Sequence, residues 1–340
     1  MTSAISPAFA LETVEQASNS EQLEKAITIA KGYFEIPDEM DELNSNYFER
    51  NGKAVWELRW FDTSRENGSV SVQVDMTNEE IIYYHYYKAG NEEQNNSYIA
   101  KISREDAYAK ALEIINNLSG LKEEDIYEVK TQKRPPLNKG IKYHEFSMVQ
   151  DVNGIPYYGN SVLVVLNADT GELVSYSKQW EEIDNFPTNI IVNKNEAQEK
   201  FMNDYGMRLK YWIPYSADGE ETIRLIYSPV DPREFILDAQ TGEILNIPTY
   251  GYYKEQAKTA ADNLLGKGEN STDLNWYEVQ ELALINSLMS KQEAQQQIEQ
   301  LFTIPDGFTL NNTSLYKKNQ KGETYFWNFT YQYKEVELME

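Results

Sequence analysis

Two stretches of this chain carry nearly the same nine residues, and they limit the folds that the chain can adopt. Residues 166–174 read LNADTGELV and residues 237–245 read LDAQTGEIL, while residues 74–82, VDMTNEEII, form a weaker third copy. In each copy a polar turn separates two apolar runs, as in a β-hairpin. The copies therefore predict one kind of unit that the chain builds several times.

The residue types inside these stretches favour a structural turn over a catalytic motif. Asn167 and Asp238 are suited to cap the turn through their side-chain oxygens, and Gly171 and Gly242 to take the left-handed conformation that closes it. The weaker copy lacks the glycine, and we expect Asn78 to take this conformation there. The acidic positions vary among the copies, which a catalytic motif would not allow.

Apolar residues at helical spacing predict a helix ahead of each set of strands. Their stripes are Leu23, Ile27, Ala30 and Phe34; then Tyr108, Ala111, Ile115 and Leu118; then Ala197, Phe201 and Tyr205. Ser18, Ser103 and Asn193 stand where the N-caps of these helices are expected.

Alternating residues predict the strands of each unit, and the pattern returns near the C-terminus. Trp56, Leu58 and Trp60 alternate with polar residues in the first unit, and Trp327, Phe329 and Tyr331 alternate in the same way. Residues 301–308, LFTIPDGF, also echo residues 33–40, YFEIPDEM. The sequence thus predicts that the larger repeat begins again.

These motifs together resemble a known family. The W-x-L-x-W strand, the stretch NGIPYYGNSVLVVLNADTGELVSY followed by QW and FP, and LDAQTGEIL resemble the YcdB/YcdC repeat family. Its members are relatives of the PepSY domain of thermolysin-like peptidase propeptides and secreted bacterial proteins. The resemblance covers residues 20–250 and, more weakly, 276–333. It implies α+β units of one helix on an antiparallel sheet, an exported location and a role in restraining peptidases, and it carries over no catalytic residue.

The resulting fold prediction is an α+β chain of tandem PepSY-like repeats, each a helix packed on an antiparallel β-sheet. The predicted segments are an N-terminal tail (1–19), three repeats (20–90, 101–186 and 191–250), a linker (251–275) and the start of a further repeat (276–340). A length of 340 residues agrees with more than one core.

The net charge, the absence of Cys and the lengths of the apolar runs exclude some kinds of partner and location. The net charge of −24 and the pI near 4.5 argue against nucleic acid, which requires clustered Lys and Arg, and favour cationic partners or solubility alone. The absence of Cys excludes disulfides and thiolate chemistry. No apolar run reaches the roughly 18–20 residues of a membrane helix. Ala8, Phe9 and Ala10 resemble a signal-peptide cleavage region, so we expect a secreted or cell-envelope protein of a bacterium.

Motifs for catalysis or metal binding are missing from the sequence. His85 and His144 do not stand in a zinc-spaced pattern, and His144 is interpreted as a satisfied core or edge histidine. The acidic run EIPDEMDE, residues 35–42, is interpreted as a solvated loop, with weak Ca²⁺ binding left open. We expect no catalytic residue, no functional metal and no cofactor.

The strand IIYYHYYK is the strongest candidate contact surface. Tyr83 and Tyr87 are expected on one face with His85, and Tyr84 and Tyr86 on the other. One interpretation is packing between adjacent repeats, and the other is a platform for a peptide or glycan.

The function predicted from the sequence is binding without catalysis, with a protein partner and possible peptidase inhibition or regulation. The alternatives are a cell-wall glycan-binding module that uses exposed aromatics and an unrecognised carboxylate-dependent hydrolase.

Overall fold

A computed structural model gives the arrangement of most of the chain. It describes residues 19–50, 52–64, 66–88, 100–130, 142–183, 185–204, 206–212, 224–229, 236–245, 273–317 and 324–333. The predicted tail, apart from residue 19, and most of the predicted linker lie outside the described residues. The chain divides into two compact units, one of Met1–Glu181 with Ala260–Glu340, the other of Glu182–Thr259.

Five α-helices and twelve strands are formed by the described residues. The helices are α1 (Asn19–Tyr33), α2 (Arg104–Ser119), α3 (Lys194–Asp204), α4 (Trp276–Asn286) and α5 (Lys291–Leu301). The strands are β1 (Glu42–Arg50), β2 (Lys53–Phe61), β3 (Ser69–Asp75), β4 (Glu80–Tyr87), β5 (Ile126–Glu128), β6 (Tyr143–Val152), β7 (Ile155–Asn167), β8 (Leu173–Gln179), β9 (Met207–Trp212), β10 (Arg224–Pro229), β11 (Phe308–Lys317) and β12 (Tyr325–Tyr333).

The first unit is built on one ten-stranded antiparallel sheet with the order β12-β11-β1-β2-β3-β4-β8-β7-β6-β5. Three sets of elements share it: a first set of α1 with β1–β4, a second set of α2 with β5–β8, and a C-terminal set of α5 with β11 and β12. The predicted α+β class with an antiparallel sheet is confirmed. The repeats of this unit join their strands into a continuous sheet.

At each junction between two sets, strands that occupy the same position in their sets pair with each other. The last strands of the first and second sets, β4 and β8, pair antiparallel, as do the first strands of the first and C-terminal sets, β1 and β11. Each joint therefore relates its two sets by an approximate twofold axis.

The helices cover one face of this sheet. Helix α1 packs on β2, β3 and β4, and α2 packs on β4, β6 and β7, whereas α4 packs on α1 and β1, and α5 packs on β12. One row of buried side chains beneath them runs across six strands: Leu58, Val72, Tyr84, Tyr176, Val164 and Phe146. The core is therefore continuous from the first set into the second.

The two predicted turn glycines take the expected conformation, with φ of 71° at Gly171 and 74° at Gly242. Asn167 Oδ1 accepts hydrogen bonds from the amides two and three residues later, at 2.8 and 3.0 Å. Asp238 Oδ1 does the same at 2.7 and 3.1 Å. The structural interpretation of the two strong copies is therefore confirmed.

In the weaker copy, the prediction for Asn78 is wrong, because Glu79 takes the left-handed conformation with φ of 57°. Glu79 lies four positions after Asp75, as Gly171 lies four positions after Asn167. Lys25 Nζ lies 2.6 Å from Glu79 Oε1, so an ion pair accompanies the less favourable backbone.

Each strong turn is also tied to the start of a helix. The amide of Ile102 donates to the carbonyl oxygen of Ala168 at 3.0 Å, and the amide of Val192 donates to that of Ala239 at 3.0 Å. Both donors directly precede the N-cap of a helix. The repeated stretch thus fixes the position of the helix as well as the strand reversal.

The helix starts at Ser103 and Asn193 are confirmed. Ser103 Oγ accepts a 3.0 Å hydrogen bond from the amide of Asp106, and Asn193 Oδ1 accepts one of 3.1 Å from the amide of Glu196. The Glu196 carboxylate in turn accepts a hydrogen bond from the Asn193 amide at 2.9 Å, which completes a capping box. Ser18 lies outside the described residues.

The second unit contains α3 and the hairpin of β9 and β10, followed by a bridge between Leu237 and Ile244. The predicted stripe of α3 is only partly buried: Ala197 and Phe201 keep some exposure, and Tyr205 lies outside the described residues. No residue of α3 is fully buried, in contrast to α1 and α2. The amphipathic pattern identified the helix but overestimated its burial.

Candidate interaction surface

The four tyrosines of β4 divide between the two faces of the sheet, and Tyr84 and Tyr86 belong to the core. Tyr84 is almost completely buried and stacks on Phe34, with ring centroids 4.0 Å apart. Tyr86 is also buried, and this burial raises its pKa. The prediction of these two as contact residues is corrected, because the α1 side of the strand has no room for a partner.

Tyr83 and Tyr87 lie on the face opposite to the helices, together with His85. Tyr87 is 47% exposed, and Tyr83 is half-buried beside His85, with the two rings 6.5 Å apart. Their binding role stays a prediction, but it now rests on one face of the sheet.

Cross-strand pairing surrounds these rings with polar and small side chains. Two rows cross β2, β3, β4 and β8 on the helix-free face. The first is Arg59, Ser71, His85 and Ser175, and the second is Glu57, Gln73, Tyr83 and Ser177. We call these eight residues the seam surface, since they span the joint between the first and second sets. Ser71, Ser175 and Ser177 have short side chains. The longer side chains of β2 and β4 therefore project further from the sheet than these serines do.

Hydrogen bonds hold the acidic end of the seam surface in place. Glu57 accepts from Asn46 Nδ2 at 3.1 Å and from Gln73 Nε2 at 3.3 Å. Because both carboxylate oxygens have a donor, the Glu57 side chain is oriented before any partner arrives.

Burial and charge set the protonation of the ring side chains on this surface. Burial lowers the pKa of His85, and the Arg59 guanidinium lowers it further. Burial also raises the pKa of Tyr83, with a smaller contribution from the Glu57 carboxylate. Near neutral pH the surface therefore presents a neutral imidazole and phenol between one cation and one anion.

His144 lies away from this surface and has a structural contact. It is buried, and its Nε2 lies 2.9 Å from the carbonyl oxygen of Ile102, to which it donates. The interpretation as a satisfied histidine is confirmed.

The carboxylates near the predicted acidic loop organise the backbone. Asp41 accepts from the amide and hydroxyl of Thr63 at 2.9 and 2.7 Å. Asp62 accepts from Ser64 and Asn67, and these bonds, Ser64 first, lower its pKa to about 2. Throughout the described ranges, no three His, Asp or Glu side chains form a group that could hold a metal ion.

Sequence reasoning missed a buried acidic contact between α4 and the first set. Glu278 is completely buried, and its carboxylate accepts from Trp60 Nε1 at 2.7 Å and contacts Lys31 Nζ at 2.9 Å. It also accepts from the amide of Asn275 at 2.7 Å, as in a capping box. That Asn-x-x-Glu spacing was the one available signal in the sequence.

A second glutamate, one helical turn later, repeats this role. Glu281 is 4% exposed and accepts from the amide and hydroxyl of Ser45 at 3.0 and 2.8 Å. Lys317 Nζ lies 3.3 Å from the Oε2 atom of this carboxylate, and the Tyr325 hydroxyl donates to the Oε1 atom that Ser45 contacts. Since every contact is internal, we interpret these glutamates as structural.

Comparisons with known proteins agree with the sequence motifs over part of the chain. The family model of the YcdB, YcdC repeated domain matches residues 23–180, which span the first and second sets. A search of curated proteins finds no match. Among solved structures, the C-terminal domain of YpeB from Bacillus megaterium aligns with 14% identity and a TM-score of 0.38, covering 66% of this chain and 96% of that domain.

Two statements about the chain follow from its helices and from the family match. Every helix in the described residues is too short or too polar to serve as a membrane span. Residues 23–180 are similar to the YcdB/YcdC repeated domain, and the resemblance predicted from the sequence is confirmed over that part of the chain.

Proposed function

We propose that this chain is an exported, non-catalytic binding protein that contacts a protein partner through the seam surface. The supporting observation is the grouping of Arg59, Tyr83, His85 and Glu57 on the helix-free face of the joint. Arg and Tyr are enriched among the residues that dominate protein interfaces. The short serines beside them leave room for side chains of the partner.

The partner class that we propose is a secreted peptidase, whose activity the chain restrains. The match of residues 23–180 to the YcdB/YcdC repeated domain, with its resemblance to the PepSY domains of peptidase propeptides, supports this choice. Fold similarity alone does not define a partner, so the proposal depends on the seam surface. Export belongs to the same proposal and is tested by fractionating the native bacterium into cytoplasm, envelope and medium.

Binding and inhibition are measured together. The purified chain is immobilised, and association of a thermolysin-like peptidase is followed by biolayer interferometry, with casein hydrolysis as the activity readout. We expect the double variant Arg59→Ala/Tyr83→Ala to lose both signals. The control Lys122→Ala/Tyr127→Ala removes one cation and one tyrosine away from the seam surface, and it should keep both signals.

The result that would overturn the proposal is equal loss of binding in both double variants, or binding unaffected by either. Thermal unfolding of each variant shows beforehand that the fold is retained.

A cell-wall glycan is the second candidate, because Tyr83 and Tyr87 lie on the same face and Tyr87 is exposed. Aromatic rings with one polar end suit a surface that is partly apolar and partly wet. Co-sedimentation with insoluble peptidoglycan, lost in Tyr87→Ala, would favour this candidate over the peptidase.

A further inference from the structure

The hairpin of β6 and β7 extends past the strands on either side of it. The pairing of β6 with β5 ends at Gln150, and the pairing of β7 with β8 ends at Ser161. Among the described residues, the outermost three residue pairs of this hairpin, from Gln150 and Tyr157 to Val152 and Ile155, lie beyond both of these strands or at their limit. At about 3.3 Å per pair, the hairpin projects by roughly 10 Å.

This projecting part, residues 150–158, is called the hairpin tip, and it carries large apolar side chains that are exposed. Ile155 is 53% exposed and Tyr158 is 67% exposed. Both belong to the stretch NGIPYYGN, for which the proposed function gives no role. Exposed apolar side chains grouped on a projecting element indicate a contact surface.

A tight turn closes the hairpin tip. Asn153 and Gly154 have φ of 55° and 82°, as in the two-residue turns that match the twist of a hairpin. The amide of Gly154 also donates to Asp151 Oδ1 at 2.5 Å. The end of the tip is therefore ordered before any partner binds.

Asn160 fixes the base of the hairpin tip, and its side chain is almost completely buried. Its Nδ2 donates to Gln150 Oε1 at 2.8 Å and to the carbonyl oxygen of Glu181 at 2.7 Å, and its Oδ1 accepts from the amide of Glu181 at 2.9 Å. The Tyr157 ring lies where a Cβ at Gly159 would stand, so it packs closely on that backbone. A loop held in this way loses little conformational entropy on binding.

The shape and the charge of the hairpin tip indicate the kind of partner. A narrow convex element with apolar side chains fits a concave site, as long nanobody loops do. A membrane surface fits less well, because interfacial segments rely on Lys and Arg, and the tip has neither of these and contains Asp151. The partner that fits the tip is therefore a protein with an apolar cleft.

The hairpin tip also lies beyond one end of the seam surface. Tyr83 pairs with Ser177 of β8, and Ser177 pairs with Leu163 of β7. Leu163 is two positions from Ser161, where β7 leaves the last strand pair with β8. A partner that covers the seam surface and reaches past this end of the sheet meets the tip.

From these features we infer that the hairpin tip enters the substrate cleft of the peptidase that the seam surface binds. The inference rests on the proposed function and adds to it the element that blocks the cleft. Ile155 and Tyr158 are the side chains that fill the apolar part of the cleft, and Asn160 holds the base from which they project.

The backbone of the hairpin tip explains why it blocks the cleft without being cut. A substrate strand that adds to an enzyme in extended form uses its main-chain donors and acceptors. In the tip, Val152 pairs with Ile155, and Pro156 supplies no N–H at all. Few main-chain groups are therefore free to align the tip for hydrolysis.

The test uses the thermolysin-like peptidase of the proposed function, with phosphoramidon as a small inhibitor that fills its cleft. We expect phosphoramidon to weaken association of the parent chain by about tenfold or more in biolayer interferometry. The variant Ile155→Ser/Tyr158→Ser should inhibit casein hydrolysis at least about tenfold less well. It should still associate through the seam surface, but without any response to phosphoramidon.

Two controls accompany this variant. Because Ile155 and Tyr158 are already exposed, the variant should fold, and thermal unfolding checks this. Leu301→Ser changes an exposed apolar residue of α5, which packs on the opposite end of the sheet, and it should inhibit like the parent. Mass spectrometry after incubation with the peptidase should find residues 150–158 of the parent uncut.

Equal inhibition by the parent and by Ile155→Ser/Tyr158→Ser would overturn the inference, and it would leave the proposed function standing if Arg59→Ala/Tyr83→Ala still loses binding. No association of the parent with the peptidase would overturn both. Cleavage of the parent within residues 150–158 would make the tip a substrate instead. Co-sedimentation of the parent with phosphatidylglycerol vesicles, abolished in Ile155→Ser/Tyr158→Ser, would assign the tip to a membrane.

Discussion

The indole nitrogen of Trp60 donates a 2.7 Å hydrogen bond to the carboxylate of Glu278, which lies 218 residues later in the chain. Both side chains are buried, and Lys31 neutralises the same carboxylate. Helix α4 therefore supplies the carboxylate that pairs with Lys31 and Trp60 in the core of the first set. The first set is thus completed by a segment that follows the whole second unit.

The first prediction concerns this buried ion pair. Lys31→Met and Glu278→Gln each leave one buried charge without its partner, so each should lower the free energy of unfolding by about 3–5 kcal/mol. The double variant should be less destabilised than the sum of the two, by about 1–3 kcal/mol. Urea unfolding followed by tryptophan fluorescence measures all four proteins. Strict additivity would show that the two charges do not interact.

The second prediction concerns the turn glycines. Gly171→Val and Gly242→Val place a β-branched residue at positive φ, at a local cost of about 1–3 kcal/mol each. An added Cβ would lie 2.6 Å from Ile102 Cδ1 at Gly171 and 3.1 Å from Val192 Cγ2 at Gly242, and because the end of the Ile102 side chain can shift, the strained backbone sets the main cost at both positions. Thermal unfolding ranks them, with Glu243→Gln as a nearly neutral control. If Gly242→Val melts like the parent while Glu243→Gln loses partner binding, the turn is a binding site instead.

The third prediction separates two tyrosines of one strand. Tyr84→Ala removes a ring that stacks on Phe34 and should destabilise the protein by about 3–5 kcal/mol, as for other large core side chains. Tyr87→Ala should stay within about 0.5 kcal/mol of the parent because its side chain is exposed. Denaturant midpoints measure both. Similar midpoints for the two variants would contradict the division of β4 into a core face and a contact face.

The fourth prediction concerns acid. The pKa of Asp62 is about 2 in the folded chain, chiefly because Ser64 donates to its carboxylate, whereas the ordinary value for an aspartate is 3.8. A depressed folded pKa stabilises the protein above the unfolded value, and this contribution is lost as pH falls toward 2. Asp62→Asn should therefore be less stable than the parent at about pH 7, with the difference shrinking between about pH 4 and roughly pH 2. A difference that is constant with pH would contradict this assignment.

Features determined by local chemistry could be predicted from the sequence. Asn167 caps its turn, Gly171 closes it and Ser103 starts its helix because each acts on backbone groups within a few positions. The error at Asn78 has the same origin. Asparagine tolerates the left-handed conformation better than glutamate does, but the spacing from Asp75 decides that Glu79 takes it.

Features determined by long-range pairing could not be predicted. Alternation placed Tyr83 and Tyr84 on opposite faces, but only the pairing of β4 with β8 and the position of Phe34 show which face is the core. Likewise, Glu278 and Glu281 resemble ordinary helix-surface residues until α4 is seen against β1. Burial of a charged residue depends on partners far away in sequence, and a single sequence does not reveal them.

The joint between β1 and β11 also has a consequence for synthesis of the protein. The amide of Lys317 in β11 donates to the side chain of Asn46 in β1, 271 residues earlier. One edge of β1 therefore stays unpaired until most of the chain has been synthesised. At ordinary rates of translation this wait is on the order of tens of seconds. Throughout it the nascent chain carries an open strand edge, which is prone to aggregation. A chaperone that shields β1 during translation would act longest in this interval.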